Sequence, residues 1–181
     1  MNAIIENLLT RRSTRAFLQK EIPDNELNEI LQAAIYAPSG MGKQTWKFTV
    51  LCNQEKIQQL AELIGRKLGR KGYDMYRPQV LIIPSNQKEN PHGMEDNACA
   101  LENIFLAAHS FGIGSVWRSI SSAHSVMILK SVLCLMSLKF LPIMSYTEWL
   151  LWDIRQTRPK RKSTKSERSG LSNKTDRRFY R

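Results

Sequence analysis

The sequence predicts an α+β layered domain. Three observations point there. Amphipathic helical stripes alternate with short apolar runs of strand length, no internal repeat occurs, and 181 residues suffice for one domain but not for two ordinary ones. Apolar residues make up 42% of the chain, enough for a core and too many for wholesale disorder.

The elements follow in order. Ile4, Ile5, Leu8 and Leu9 recur at helical spacing and predict a short N-terminal helix, which runs into Thr10-Arg11-Arg12-Ser13-Thr14-Arg15. After Pro23, Asp24 is a candidate N-cap, and Leu27, Ile30, Leu31 and Ala34 form the stripe of a second helix. Pro38 ends it, because the residue before proline avoids the helical region. A loop of small residues, 38–44, leads to a strand carrying Trp46, Phe48, Val50 and Leu51. Residues 54–68 form a helix with Ile57, Leu60, Ile64 and Leu68 on one face. Residues 79–84 read as a buried strand. From Glu95, Ala98, Leu101, Phe105 and Ala108 mark a further helix that Gly112 stops, and Gly114-Ser115-Val116-Trp117 begins another strand or turn.

Charge divides the chain. The formal net charge is +11, yet residues 1–117 carry 13 Lys+Arg against 12 Asp+Glu, while residues 118–181 carry 14 against 4. The basicity therefore belongs to the last third and is no global nucleic-acid signature. Cys52, Cys99 and Cys134 share no CxxC spacing, which argues against a zinc knuckle or a disulfide framework. Scattered thiols, and an N-terminus without an apolar signal core, lead us to expect a cytoplasmic protein.

Two segments are candidates for chemistry. Arg11, Arg12, Ser13 and Arg15, with Thr14 between them, concentrate three guanidiniums and two hydroxyls in a manner suited to phosphate, since the planar fork of arginine matches phosphate oxygens. Pro38, Ser39, Gly40, Met41 and Gln44 lie where small residues let a backbone approach a flat ligand and where an amide can meet a heteroaromatic edge. On local pattern alone, a solvated basic turn and an ordinary helix-to-strand loop account for both. His92, His109 and His124 have no partner at metal-ligand spacing, and neither a GxGxxG, a P-loop nor a GxSxG is present.

Together the segments carry more than either alone. Arg-Arg-Ser-Thr-Arg-Ala-Phe at 11–17, Leu-Gln-Ala-Ala-Ile-Tyr-Ala-Pro-Ser-Gly at 31–40 and Gln-Thr-Trp-Lys-Phe at 44–48 resemble the FMN-dependent nitroreductase family. Residues 95–104 and 107–117 look like that family's central helix and the turn after it. The resemblance covers residues 1–117. It implies an α+β sandwich, an intertwined homodimer, and FMN at two interface sites. It places Arg11, Arg12, Ser13 and Arg15 on the FMN phosphate and pyrimidine side, and Pro38, Ser39, Gly40, Met41 and Gln44 as flavin neighbours supplied by the partner subunit. The chemistry it implies belongs to the flavin: NAD(P)H gives hydride, and a nitroaromatic, quinone or similar small-molecule acceptor then takes its place. Arg15 suits the N1/O2 edge of the ring, and no side chain is required as acid or base. Where the family often has asparagine and proline, this chain has Gly42 and Thr45, so a polar contact to flavin is lost.

The last third departs from that pattern. We divide the chain into a nitroreductase-like FMN-binding domain (1–117), an atypical apolar continuation of it (118–154) and a basic, disordered tail (155–181). Back-translation of residues 141–155, begun at each codon's third base, permits Ala-Asn-His-Val-Val-Tyr-Gly-Met-Ala-Ala-Leu-Gly-Tyr-Pro. The same frame permits Asp-Asp-Pro-Glu-Ile-Arg over residues 126–132, and both strings look like the family's C-terminal third. A one-base slip near codons 118–124 explains this; it predicts that the family's final strand and arm are missing. A rival reading makes this a non-enzymatic protein whose basic C-terminal arm binds nucleic acid or anionic membrane. Residues 155–181 do carry 11 Lys+Arg against Glu167 and Asp176. However, Lys130, Lys139, Pro142 and Glu148 break up the apolar run 126–152, so no spanning helix is expected, and neither membrane nor nucleic acid is an expected partner.

Overall fold

A computed structural model describes residues 1–120, 144–145 and 149–156. The expected disordered tail (155–181) starts too early, since Arg155 and Gln156 are the last residues of a strand; the rest of that tail and most of the apolar run lie outside the described residues.

Helices α1 (Ala3–Thr10) and α2 (Asp24–Ile35) come first. A 3-10 turn (Gly40–Gly42), strand β1 (Trp46–Leu51) and helix α3 (Gln54–Lys67) follow. Strand β2 (Val80–Gln87), helix α4 (Gly93–Ser110) and strand β3 (Ile113–Ile120) complete the part without gaps. Beyond it lie β4 (Met144–Ser145) and β5 (Trp149–Gln156). Asn2 and Asn53 cap α1 and α3 through their side chains, each accepting from an early helical N–H. Asp24 is the first residue of α2 and not its cap: Pro23 holds that place, and Asp24 joins Glu26 in the first turn, where the helix dipole favours carboxylates.

The sheet is antiparallel, in the order β1-β2-β5-β3, with β4 also on β2. β2 is longer than the apolar run suggested and passes through Pro84. It pairs β5 through Val80–Ile82 and β4 through Asn86–Gln87, so Pro84, with no N–H to give, falls in the interval between them. β5 corrects the expectation of a missing final strand. Its backbone pairs β3 over eight residues and closes the open edge of β2, and a run such as Trp-Leu-Leu-Trp has the β propensity to fill that place.

The core lies between the sheet and the pair α2–α4. Leu27, Ile30 and Ala34 of α2 meet Ala100, Leu101, Ile104, Phe105 and Ala108 of α4, with Val80 and Ile82 of β2 and Ile113 of β3. Leu81 and Ile83 alternate to the other face and are equally buried. α4 buries two polar residues, Asp96 and Asn97, in its first turns, whereas Ala98, expected on the apolar stripe, is exposed.

Candidate functional site

The two candidate segments fall at opposite ends of α4. Residues 11–15 lie at its C-terminal end. There Asn7 Nδ2 donates to the Leu106 carbonyl at 2.8 Å, and His109 Nε2 stands 2.9 Å from Thr10 Oγ1. The segment then runs along the free edge of β3: Thr14 N–H donates to the Ser115 carbonyl at 3.0 Å, and Ser13 pairs with Ser115 in a parallel bridge. The result is a cleft of about 120 Å³ lined by Thr10, Arg11, Arg12, Thr14, His109 and residues 112–115.

Arg11 is the central cation of this cleft. Its guanidinium stacks on the Phe105 ring, 5.0 Å from the centroid, while Nη1 is buried with no hydrogen-bond partner among the described residues. A buried guanidinium nitrogen without a partner is costly unless an anion arrives. Arg12 is exposed and folds back, Nη1 donating to the Leu9 and Arg11 carbonyls at 2.7 Å each. No acidic side chain lines the cleft. Arg15 is exposed and stands outside the lining. His109 titrates below the ordinary histidine value of 6.5, first because burial disfavours its charged form and then because Arg11 and Arg12 repel a further cation. Chemically, the cleft presents cationic and neutral hydrogen-bond donors that can hold an anion.

The loop 38–44 lies at the N-terminal end of α4. Gly40 N–H donates to Asp96 Oδ1 at 2.6 Å, and Asp96 Oδ2 accepts from Asn90 Nδ2 at 2.9 Å. A Cβ on Gly40 would sit 2.6 Å from the His92 ring, so only glycine fits there. Ser39 Oγ accepts from Gln44 N–H at 3.1 Å, and Gln44 Nε2 donates to the Ile35 carbonyl at 3.1 Å. Met41 and Gln44 take positive φ, +56° and +47°, which holds the loop in a tight outward curl with Met41 exposed at its tip. Pro38 is exposed at its start. The thirteen residue steps from Asp96 to His109 rise about 20 Å along the helix, so one chain does not bring the two segments together.

Thr10 and His109 as cleft residues, and Asp96 as the loop's anchor, were not recognised from the sequence, whereas Thr14 lies within the segment 11–15 already singled out. The one available signal for Asp96 was a carboxylate beside an asparagine on the inward side of an otherwise apolar helix.

Comparison with known proteins agrees with this fold. A family model described as "Nitroreductase family" matches residues 8–144. The chain belongs to the nitroreductase family. A protein of Methanothermobacter thermautotrophicus named "Putative NADH dehydrogenase/NAD(P)H nitroreductase" is 31% identical over 65% of this chain and 61% of its own length. One of the same name from Archaeoglobus fulgidus is 32% identical over 66% and 69%. The matched part thus spans about three-fifths to two-thirds of these curated relatives. Among solved structures, a nitroreductase with bound FMN from Bacteroides fragilis superposes with a TM-score of 0.71 at 28% identity, covering 95% of this chain and 100% of that one. An FMN-dependent nitroreductase from Clostridium difficile gives 0.73 at 25%, over 90% and 92%. The nitroreductase fold is thus established for this chain, and the cleft beside Arg11 lies on its β3 edge. Among the described residues no helix is long and apolar enough to cross a membrane.

Proposed function

We propose that this chain is an FMN-dependent oxidoreductase that takes hydride from NAD(P)H and reduces nitroaromatic, quinone or similar acceptors by a ping-pong mechanism. When bound, FMN supplies the hydride-accepting and hydride-donating chemistry. The observation that carries the reading is Arg11 Nη1, which among the described residues is buried without a partner in a cleft whose lining holds no acidic side chain. A phosphate satisfies that donor. Arg11 and Arg12 bind the phosphate through charge-assisted hydrogen bonds, Ser13 adds a neutral donor, and Arg15 holds positive charge at the pyrimidine edge of the ring. Gly112 and Gly114 leave room for the ligand against the β3 edge.

The reading requires a second copy of the chain. The loop 38–44 covers the flavin of the partner, with Pro38, Ser39, Gly40, Met41 and Gln44 against it, because its own cleft is too far away. Exposed apolar side chains support a homodimer. α1 buries nothing, and Ile4, Ile5, Leu8 and Leu9 stand in the open together with Tyr36, Met41 and Met94. In this reading residues 1–117 are the FMN-binding unit, 118–154 its altered continuation and 155–181 a basic tail, except that Arg155 and Gln156 end β5 and pair with Gly114 and Ile113 of β3. Sequencing the coding DNA tests the frame slip, and an intact in-frame reading of a homologous gene without it would refute that origin.

The decisive experiment is reconstitution. Purified protein mixed with FMN and freed of excess should stay yellow and oxidise NAD(P)H when a nitroaromatic or quinone is supplied. Loss of all flavin together with absence of turnover would refute the reading. Retention without turnover would keep the binding site and assign the defect to the altered C-terminal third.

A further inference from the structure

We propose that His109 is a proton-linked anchor for the cofactor's phosphate: binding of the phosphate in the cleft draws one proton from solvent onto the imidazole, which then stands as a third cation beside Arg11 and Arg12. The proposal rests on the FMN reading above and deepens it.

The hydrogen bonds around Thr10 fix which ring nitrogen carries the proton. Thr10 Oγ1 lies 2.6 Å from the Glu6 carbonyl, which can only accept, so the single hydroxyl proton is spent there. The contact of 2.9 Å between Thr10 Oγ1 and His109 Nε2 must then be donated by the imidazole. Neutral His109 is therefore the Nε2–H tautomer, and its Nδ1 carries a bare lone pair. Without an anion this is a stable arrangement, because a second proton would add a cation next to two guanidiniums.

A phosphate reverses that balance. It neutralises the field of Arg11 and Arg12 and sets an anion beside His109, which shares the same lining. The helix adds to the effect. His109 lies in the last turn of α4, whose negative dipole end favours a cation and disfavours a bare anion. A phosphate seated there gains more from a charged imidazole than it would at a neutral surface. The charged groups nearby are few. Arg11 and Arg12 follow α1, Glu6 is the one acid on α1, and Glu102 lies two turns back on α4. Both acids are exposed and neither pairs with the imidazole among the described residues. The part of β3 that lines the cleft, Ile113 to Ser115, has no titratable side chain.

The test measures FMN and riboflavin binding to the full chain and to its His109→Gln variant. Glutamine keeps a donor for Thr10 and does not titrate. The phosphate's own protonation enters both proteins alike and cancels in their ratio. For FMN, the variant's Kd divided by that of the parent should rise from near unity at about pH 8 to roughly tenfold at about pH 5.5, and for riboflavin it should stay flat. A ratio for FMN that does not change with pH, while both proteins bind it, would overturn the proposal and leave the FMN reading intact. FMN binding by neither protein at any pH would overturn both. A second measurement needs no variant. In the parent protein the His109 ring resonances should titrate at higher pH with FMN than without it, and equal midpoints would overturn the proposal.

Discussion

Asp96→Ala tests how the loop 38–44 is held. The carboxylate is 2% exposed and makes two charge-assisted contacts, to Gly40 N–H at 2.6 Å and to Asn90 Nδ2 at 2.9 Å. The two losses are unequal. Asn90 Nδ2 keeps Thr45 Oγ1 at 2.8 Å and Asn86 Oδ1 at 3.4 Å, so it does not become an orphan. Gly40 N–H has no other acceptor among the described residues and is left half-buried. A hydrogen bond to a charged group contributes about 1.5–3 kcal/mol, and the carboxylate's placement near a helix N-terminus adds about 0.5. Removing a buried charge returns part of its desolvation cost. The net expectation is a loss of about 2–3 kcal/mol, which for a chain of this size lowers Tm by roughly 4–12 °C. Asp96→Asn should cost less, about 1 kcal/mol, because its oxygen still receives Gly40 while its amide faces the Asn90 amide donor to donor. Urea unfolding of the flavin-free protein, at matched m-values, gives both numbers. A change under about 0.5 kcal/mol for Asp96→Ala would show that the network does not restrain the loop.

Three further outcomes are expected. Arg11→Lys should leave the flavin-free protein within about 1 kcal/mol of the parent, since Nη1 has no partner to lose among the described residues; it should weaken FMN by roughly tenfold or more and riboflavin hardly at all, measured by equilibrium dialysis. Flavin-free protein should lose stability as pH falls. The folded-state pKa of His109 lies below its unfolded value, so the unfolded chain takes the proton first; the loss is absent well above 6.5, begins as pH falls through that value, and is smaller in His109→Gln, followed by urea midpoints across the range. Ile30→Ala, at a fully buried position between α2 and α4, should cost about 2–5 kcal/mol in thermal unfolding, and a cost under about 1 would contradict the packing described.

Much of this fold is legible in the sequence because burial follows period. Leu27, Ile30 and Ala34, and then Leu101, Phe105 and Ala108, occur at spacings that only a helix can place on one side, and all six are buried. The same rule misleads at α1. Its stripe is equally regular, yet none of it is buried within the chain, since periodicity reports that a face needs covering and not what covers it. The site was partly legible for a related reason. Arg11 and Arg12 stand next to each other in the sequence, and their charge is visible there. Thr10 with His109, and Gly40 with Asp96, are separated by 99 and 56 residues and meet only because α4 spans the domain. Asp96 looks like any acid in a helix's first turns until Gly40 closes on it, and β5 fills a gap in pairing that no local pattern announces.

The length of α4 also decides how the site must be assembled, and this can be tested without structural work. An Arg11→Ala chain has a damaged cleft and an intact loop, whereas an Asp96→Ala chain has an intact cleft and a damaged loop. If each cleft were completed by its own loop, mixing the two proteins would change nothing, because every chain would carry one defect. If a two-fold axis sets each cleft against the partner's loop, a mixed dimer has one doubly damaged site and one wholly intact site. Random pairing of equal amounts makes half of the dimers mixed, so about a quarter of all sites should regain the parent's affinity for FMN. The measurement is made after joint refolding, at an FMN concentration between the intact and damaged dissociation constants. Flavin retained above the mean of the two unmixed proteins, approaching that quarter, requires exchange of loops between chains. Retention equal to the mean would mean that the 20 Å along α4 is bridged within one chain, which the positions of Asp96 and His109 do not permit.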